Sequence, residues 1–289
     1  MSYQNFIPTV WNESIERELE RICVFVEDCN RKYEGSVKEK GESVKILGVG
    51  KPTIKSIATA NKNGDIDAPE EIEDTSVIMY INQIRYFNYM IGDIDKAQSV
   101  GGIMEALEQE TSEGLANEVD TYIASKAVDE SVKALYGKTP VKVVATETAG
   151  EGEKYVLDVL DEALEKLYEN DVKSTSKIVV TVSPRFFTLF KRAYISKDTD
   201  NSDMLKNGKV AKYGNVIVKM SNNVCKSSNG AVDNIMIRTQ RAIAYAKPHT
   251  HTEPYRPEKK FADAVKGFIL FDAKVVRPKE IININVKYA

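Results

Sequence analysis

The chain has 289 residues, 42% of them hydrophobic and 29% charged, enough to bury a real core divided among one to three domains. No apolar run approaches the roughly 18 residues of a bilayer span, and Met1 to Trp11 lack a basic cluster followed by an apolar stretch, so neither anchoring nor export is expected. The formal net charge of −3 conceals 5 Lys+Arg against 16 Asp+Glu over residues 61–134, and 11 against 4 over residues 171–230. Such opposed fields suit either head-to-tail association of identical copies or dispersed solvated faces.

In chain order, Asn12 is a candidate cap for a helix whose first turn holds Glu13 and Glu16, with Ile15, Leu19, Ile22 and Val26 at helical spacing. Preceded by a polar, Pro8-interrupted segment, this helix packs either on its own body or on a neighbour. Residues 33–92 read as short extended segments (Val44, Ile46, Val49, Ile54, Ile57), a polar stretch from Thr59 to Thr75 with an Asn63–Gly64 turn, and a returning run from Val77 to Met90. Two extended arms around a polar tip predict a protruding hairpin with few large apolar side chains of its own, so it needs a partner surface. A mobile flap over an active site is the other reading.

The stretch from Ser99 to Tyr136 organises the chain. Met104, Leu107, Thr111, Leu115, Val119, Tyr122 and Lys126 recur every three to four residues without proline, predicting one amphipathic helix of nearly 30 residues. Beyond it the pattern predicts a strand at Val141 to Thr146, a helix at Tyr155 to Tyr168 and a buried strand at residues 178–182. A short helix then starts with Ser183 as cap and Pro184 in its first position. Strands follow at Val216 to Met220, Ile235 to Thr239 and Phe268 to Val276, with a turn at Asn229–Gly230. Lys247 to Lys260, with three prolines and both histidines, reads as a crossing between domains. Ile282, Ile284, Val286 and Tyr288 alternate with Asn283, Asn285 and Lys287, which predicts a half-buried strand returning beside the long helix. The class is α+β.

Little in this sequence points to catalysis. His249 and His251 share a strand face with Glu253 near, half of a metal site without a third or fourth ligand. Cys225 has no adjacent His or acid, and Cys23, Cys29 and Cys225 match no metal or redox spacing, so a reduced compartment is expected. No nucleophile motif and no glycine-rich phosphate loop follows either strand of residues 141–182. Paired carboxylates are too many in the acidic block for one pair to stand out, and Asn61–Lys62–Asn63–Gly64 reads as an exposed turn. No catalytic, cofactor-binding or metal residue is predicted, and a self-associating structural protein is favoured over an enzyme.

The order of segments resembles the major capsid proteins of tailed bacteriophages, the Hong Kong 97-type fold. The marks are Ile84 to Ser99 leading into the long helix; Val182-Ser183-Pro184 with Phe187 and Leu189; Gly208 to Ser221; Arg238 with Arg241 to Ala246; and Phe261 to Gly267. The resemblance implies an N-terminal arm (residues 1–32) and an extended hairpin loop (33–92) reaching over an adjacent subunit. It also implies a peripheral domain with a spine helix (93–136 plus 258–289) and an axial domain (137–257). It further implies many copies forming hexamers and pentamers of an icosahedral shell around double-stranded DNA, contacted weakly and without sequence specificity. The partners it implies are a separate scaffolding protein, a portal and a maturation protease, and in some members a decoration protein. Some members begin with a scaffolding region that is later cleaved; this chain has no room for one ahead of Asn12. One member cross-links loop lysines to asparagines; Lys62 with Asn283 or Asn285 supplies the residue types, but no catalytic acid aligns and the bond is not expected. Encapsulin-like compartment shells share the fold and are the alternative, ahead of a soluble α+β enzyme.

Overall fold

The computed structural model describes residues 18–19, 22–33, 43–49, 74–92, 103–147, 150–196, 210–213 and 216–288. Strands β1 (Ser43–Val49) and β2 (Asp74–Tyr80) pair antiparallel with Ser43 opposite Tyr80 and Val49 opposite Asp74. These are the arms of the expected hairpin; its tip, including Asn61 to Gly64, lies outside the described residues. The single returning run predicted from Val77 to Met90 is instead two strands. Asn82 interrupts it, its backbone N–H held by the Asp272 carboxylate, and β3 (Gln83–Gly92) joins a different sheet.

Helix α1 spans Ile103–Ser125, shorter than the near-30 residues expected. A single 3-10 turn at Lys126–Val128 follows. Asp129 then accepts the Ser131 backbone N–H and hydroxyl, and this local side-chain bonding diverts the backbone from the helical ladder. The buried seam of α1 is concentrated in its second half: Leu115, Ala116, Val119, Ile123 and Ala124, together with Ser112 and Asp120.

The chain continues through β4 (Lys133–Ala134), β5 (Val141–Val144), β6 (Glu153–Tyr155), α2 (Val156–Glu169), β7 (Ile178–Val182) and α3 (Pro184–Ser196). Ser183 accepts the Phe186 backbone N–H through its hydroxyl, the expected cap, and Phe186, Phe190 and Ala193 are buried. Next come β8 (Val210–Tyr213), β9 (Val216–Met220), β10 (Cys225–Ser227) and β11 (Val232–Thr239). The last three strands are β12 (Ile243–Tyr255), β13 (Ala262–Val275) and β14 (Ile281–Tyr288).

Nine strands form one mixed sheet in the order β6-β5-β14-β11-β7-β9-β8, with β10 beside β11 and β4 beside β14. Every residue of β7 and β11 is buried, so both faces are covered. By register, one face gathers Val180, Val182, Val218, Ile235, Ile237, Ile282, Ile284 and Val286. The other gathers Thr181, Lys219, Asn234, Met236, Arg238, Asn283 and Asn285. The amphipathic α2 and α3 cover the apolar face; residues 22–29 and the end of α1 lie on the polar one.

A second sheet, β12-β13-β3, is antiparallel throughout. The crossing expected at Lys247 to Lys260 is mostly strand β12, paired to β13 as far as Tyr255. Its prolines, Pro248 and Pro254, obscure the strand pattern yet are tolerated because β12 lies at the sheet edge. The C-terminal strand also departs from expectation. It joins β11, β4 and β5 in the large sheet, and Ile281 to Val286 are all buried. Asn283 donates to Asn234 Oδ1 at 3.1 Å and Asn285 to the Gly137 carbonyl at 3.1 Å. A satisfied asparagine can occupy a core position, which a polar-out alternation cannot reveal. The hairpin base packs separately: Val44, Ile46, Met79 and Ile81 meet Ala244, Ala246 and Leu270.

Candidate functional site

Two features of the molecule bear on function: a charged strap buried under the large sheet and an exposed aromatic face on the small one. The strap comprises residues 23–30. Asp120, at a core position of α1, accepts the Val24 N–H at 2.8 Å and the Phe25 N–H at 3.1 Å. From β11, Arg238 reaches the Phe25 carbonyl through Nη2 at 2.9 Å and the Asp28 carbonyl through Nη1. The Asp28 carboxylate meets Lys177 at 2.8 Å and Lys219 at 2.7 Å, and Lys219 also meets Glu27 at 2.6 Å. At its far end Asn30 donates to the Ile243 carbonyl at 2.8 Å and accepts from the Tyr245 N–H at 3.0 Å. Asp28, Asp120 and Arg238 are buried. Three acids and three bases converge, which is how buried charge is tolerated. Burial pushes the Asp120 carboxyl up to about 6, against the two backbone N–H donors and the Arg238 and Lys219 charges. Burial alone would raise Asp28 too, but Lys177 and Lys219 outweigh it and hold that carboxyl below its ordinary range.

The exposed face belongs to the small sheet. Tyr86, Asn88 and Met90 alternate outward along β3 and stand opposite Phe268, Lys266 and Ala264 of β13. Tyr86 is 81% exposed, Met90 49%, and Phe261 beside the sheet 88%. The polar groups among them are tied down: Lys266 pairs with Glu253 at 3.1 Å and lies over the Tyr255 ring, while Tyr255 donates to Asn88. The inward face meets α1, where Arg85 pairs with Glu118 at 3.0 Å. Gly267 permits this layer. A Cβ there would lie 2.5 Å from the Phe87 ring and 2.7 Å from the His251 carbonyl oxygen.

The sequence candidates are dispersed. His249 and His251 lie on β12; the His251 ring is exposed and 5.9 Å from Phe268, and Glu253 is held by Lys266. Among the described residues no group of three or more His, Cys, Asp or Glu is placed to hold a metal. Burial pushes the Cys225 thiol up. Lys62 lies outside the described residues, and Asn283 and Asn285 are buried and bonded inside the subunit. What sequence reasoning missed is the strap. Its one visible signal was Asp120 at seam spacing from Ala116 and Ile123.

No family model matches the sequence, and no curated protein matches it. Solved structures do. A chain from Mycobacterium phage Che8 has a TM-score of 0.70 at 26% identity, covering 90% of each chain. The capsid structure of cyanophage P-SCSP1u gives 0.67 at 15% identity, covering 92% of this chain and 88% of that one. A virus-like particle from Pyrococcus furiosus gives 0.57 at 9% identity, covering 96% and 98%. The chain thus has the fold of a shell-forming subunit, an α+β architecture with a spine helix, a nine-stranded sheet, a three-stranded sheet and a two-stranded hairpin. More particularly, it is the Hong Kong 97-type fold of tailed-bacteriophage major capsid proteins.

Proposed function

We propose that the chain is a major capsid protein, the repeated structural subunit of an icosahedral phage shell around double-stranded DNA. The observation that carries this reading is the match over nine-tenths of the length of both this chain and a phage chain. The nine-stranded sheet with α2 and α3 is the axial part that meets around five-fold and six-fold axes. Helix α1 and the small sheet are peripheral, and the hairpin of β1 and β2 reaches over the adjacent subunit. Heterologous edges on such a subunit close into rings, and rings tile a shell. Its net charge of −3 suits a wall that faces DNA without gripping it. A separate scaffolding protein, a portal, a maturation protease and, on some shells, a decoration protein are the partners, with assembly in the host cytoplasm.

Electron microscopy of the purified protein tests this. Closed particles of uniform diameter are expected; a species of one or two 32.3 kDa chains at every concentration rejects it. The likeness to a virus-like particle favours a second reading, a compartment shell. Particle contents separate the two: packaged DNA supports the capsid, and a co-purifying protein cargo without DNA supports the compartment.

A further inference from the structure

The two sheets share one buried core, in which Tyr245, Phe271 and Ala273 of the small sheet join Ile235, Ile237 and Ile282 of the large one. The chain crosses between them three times: through α1 from β3 to β4, and by two short connections, residues 240–242 from β11 to β12 and residues 276–280 from β13 to β14. The short crossings are bonded to each other: Val276 and Arg277 donate to the Ala242 carbonyl at 2.9 and 3.2 Å, and Thr239 bonds Glu280. Two short adjacent crossings make a hinge. The strap runs over these two short crossings as a further, non-contiguous link beside α1. Asp120 of α1 holds one end at Val24 and Phe25, Arg238 of β11 holds the middle at Phe25 and Asp28, and Asn30 bonds the other end to Ile243 and Tyr245 of β12.

From this we infer that residues 23–30 brace the hinge and set the angle between the large sheet and the small one. The chemistry at the three attachments differs in a way that suits a brace. The β11 and α1 attachments are charge-assisted bonds in a buried site, strong and directional. The β12 end is an isolated two-bond backbone bridge beside the buried Cys29 side chain. Cutting either end removes that link without removing a strand from either sheet, and loosens the angle that α1 and the shared core then hold without it. In a shell the same angle fixes subunit curvature; only that extension rests on the capsid reading.

The test reads the angle within one chain. Spin labels at Tyr86→Cys on the small sheet and Tyr168→Cys on α2, in a Cys225→Ser background, report an inter-sheet distance distribution. Labelled chains are diluted into unlabelled ones, so the reading holds for dispersed subunits and for particles alike. Asp120→Ala is expected to fold cooperatively, to lose slow hydrogen exchange at the Val24 and Phe25 amides, and to broaden the distribution. Asn30→Pro removes the donor to Ile243 from the other end; the preceding Cys29, at φ −104° and ψ 161°, already has the extended conformation a proline requires. It is expected to broaden the distribution while Val24 and Phe25 stay protected, and it serves alone if Asp120→Ala does not fold. A distribution as narrow as the parent's in a folded variant whose targeted link is lost overturns the brace. Absence of particles with the broadening intact rejects the capsid reading and leaves the brace standing.

Discussion

The large sheet and the small sheet are built to opposite rules. Every residue of β7 and β11 is buried, and even the polar ones are satisfied inside the subunit, as Asn283 is by Asn234 and Arg238 by the strap carbonyls. The small sheet covers one face with α1 and leaves Tyr86 and Met90 on the other in water. A subunit that needed only to fold would have no reason to leave that second face uncovered. The difference separates what holds one chain together from what remains available to a neighbour, and each region makes a distinct prediction.

The largest effect belongs to Arg238. Replacing it with Met leaves the Phe25 and Asp28 carbonyls without these donors, and Asp120 with Lys219 as its remaining nearby cation. A buried acceptor left without its donor costs about 1–3 kcal/mol, and two lose a donor here. Arg238→Met is therefore expected to lower the denaturant midpoint severely or to leave the protein insoluble. A midpoint near the parent's would show that the polar face tolerates an apolar side chain and that the strap is not an electrostatic lock.

The pH dependence follows from Asp120 next. Its carboxyl titrates at about 6 in the fold and at 3.8 ordinarily, so the folded chain holds a proton the unfolded chain has released between those values. Its contribution to stability is complete below 3.8 and is lost as pH rises through about 6. The difference corresponds to roughly 3 kcal/mol. Asp28 runs the other way: its carboxyl is held down, so its stabilisation is present above 3.8 and disappears as pH falls below. Urea unfolding is thus expected to show stability highest near about pH 4 and falling from there to about pH 6, and Asp120→Asn should remove that fall. An unchanged fall in that variant rejects the assignment.

How much of this was legible beforehand depends on how a residue's environment is encoded. Residues 178–182 were placed to the residue because a strand buried on both faces is a plain apolar run, and Val216 to Met220 because it opens on the apolar Val216, Ile217 and Val218. Ser183–Pro184 was placed because capping is a local bond. The strap was not legible. It is recognised by Asp120, Lys177, Lys219 and Arg238, spread over more than a hundred positions and each of ordinary surface type. Strand β14 was legible as a strand but not as a buried one, since Asn283 and Asn285 look solvent-facing until Asn234 and Gly137 are known to be their partners. Strand β12 was lost for a similar reason: its prolines are allowed only because it is an edge, and edges are a property of the sheet.

Gly267 sharpens the comparison within the small sheet, where the effect is intermediate. Alanine there meets both the Phe87 ring and the fixed His251 carbonyl, and the second cannot swing away. Overpacking of this kind costs typically about 1–3 kcal/mol. Gly267→Ala in a Phe87→Leu background relieves the ring contact and leaves the carbonyl one, so partial recovery of the melting temperature is expected. Full recovery would mean the backbone oxygen is free to move.

The smallest effect on the subunit itself is expected where the consequence for assembly is greatest. Tyr86 and Met90 point away from α1 and are 81% and 49% exposed, so Tyr86→Ser with Met90→Ser removes little that the isolated chain buries. Surface changes of this kind usually stay within about 0.5 kcal/mol. If a neighbouring copy covers this face, the same pair of changes removes apolar contact from every repeated interface, and the concentration at which particles form should rise. Salt addresses the other contribution. The net −11 of residues 61–134 and +7 of residues 171–230 are screened beyond roughly 8 Å at physiological ionic strength. An assembly threshold that moves with salt but not with the serine variant assigns the contact to charge, and the reverse assigns it to the aromatic face. A subunit that loses its cooperative unfolding on the serine changes would place Tyr86 and Met90 in the core and erase the distinction between the two sheets.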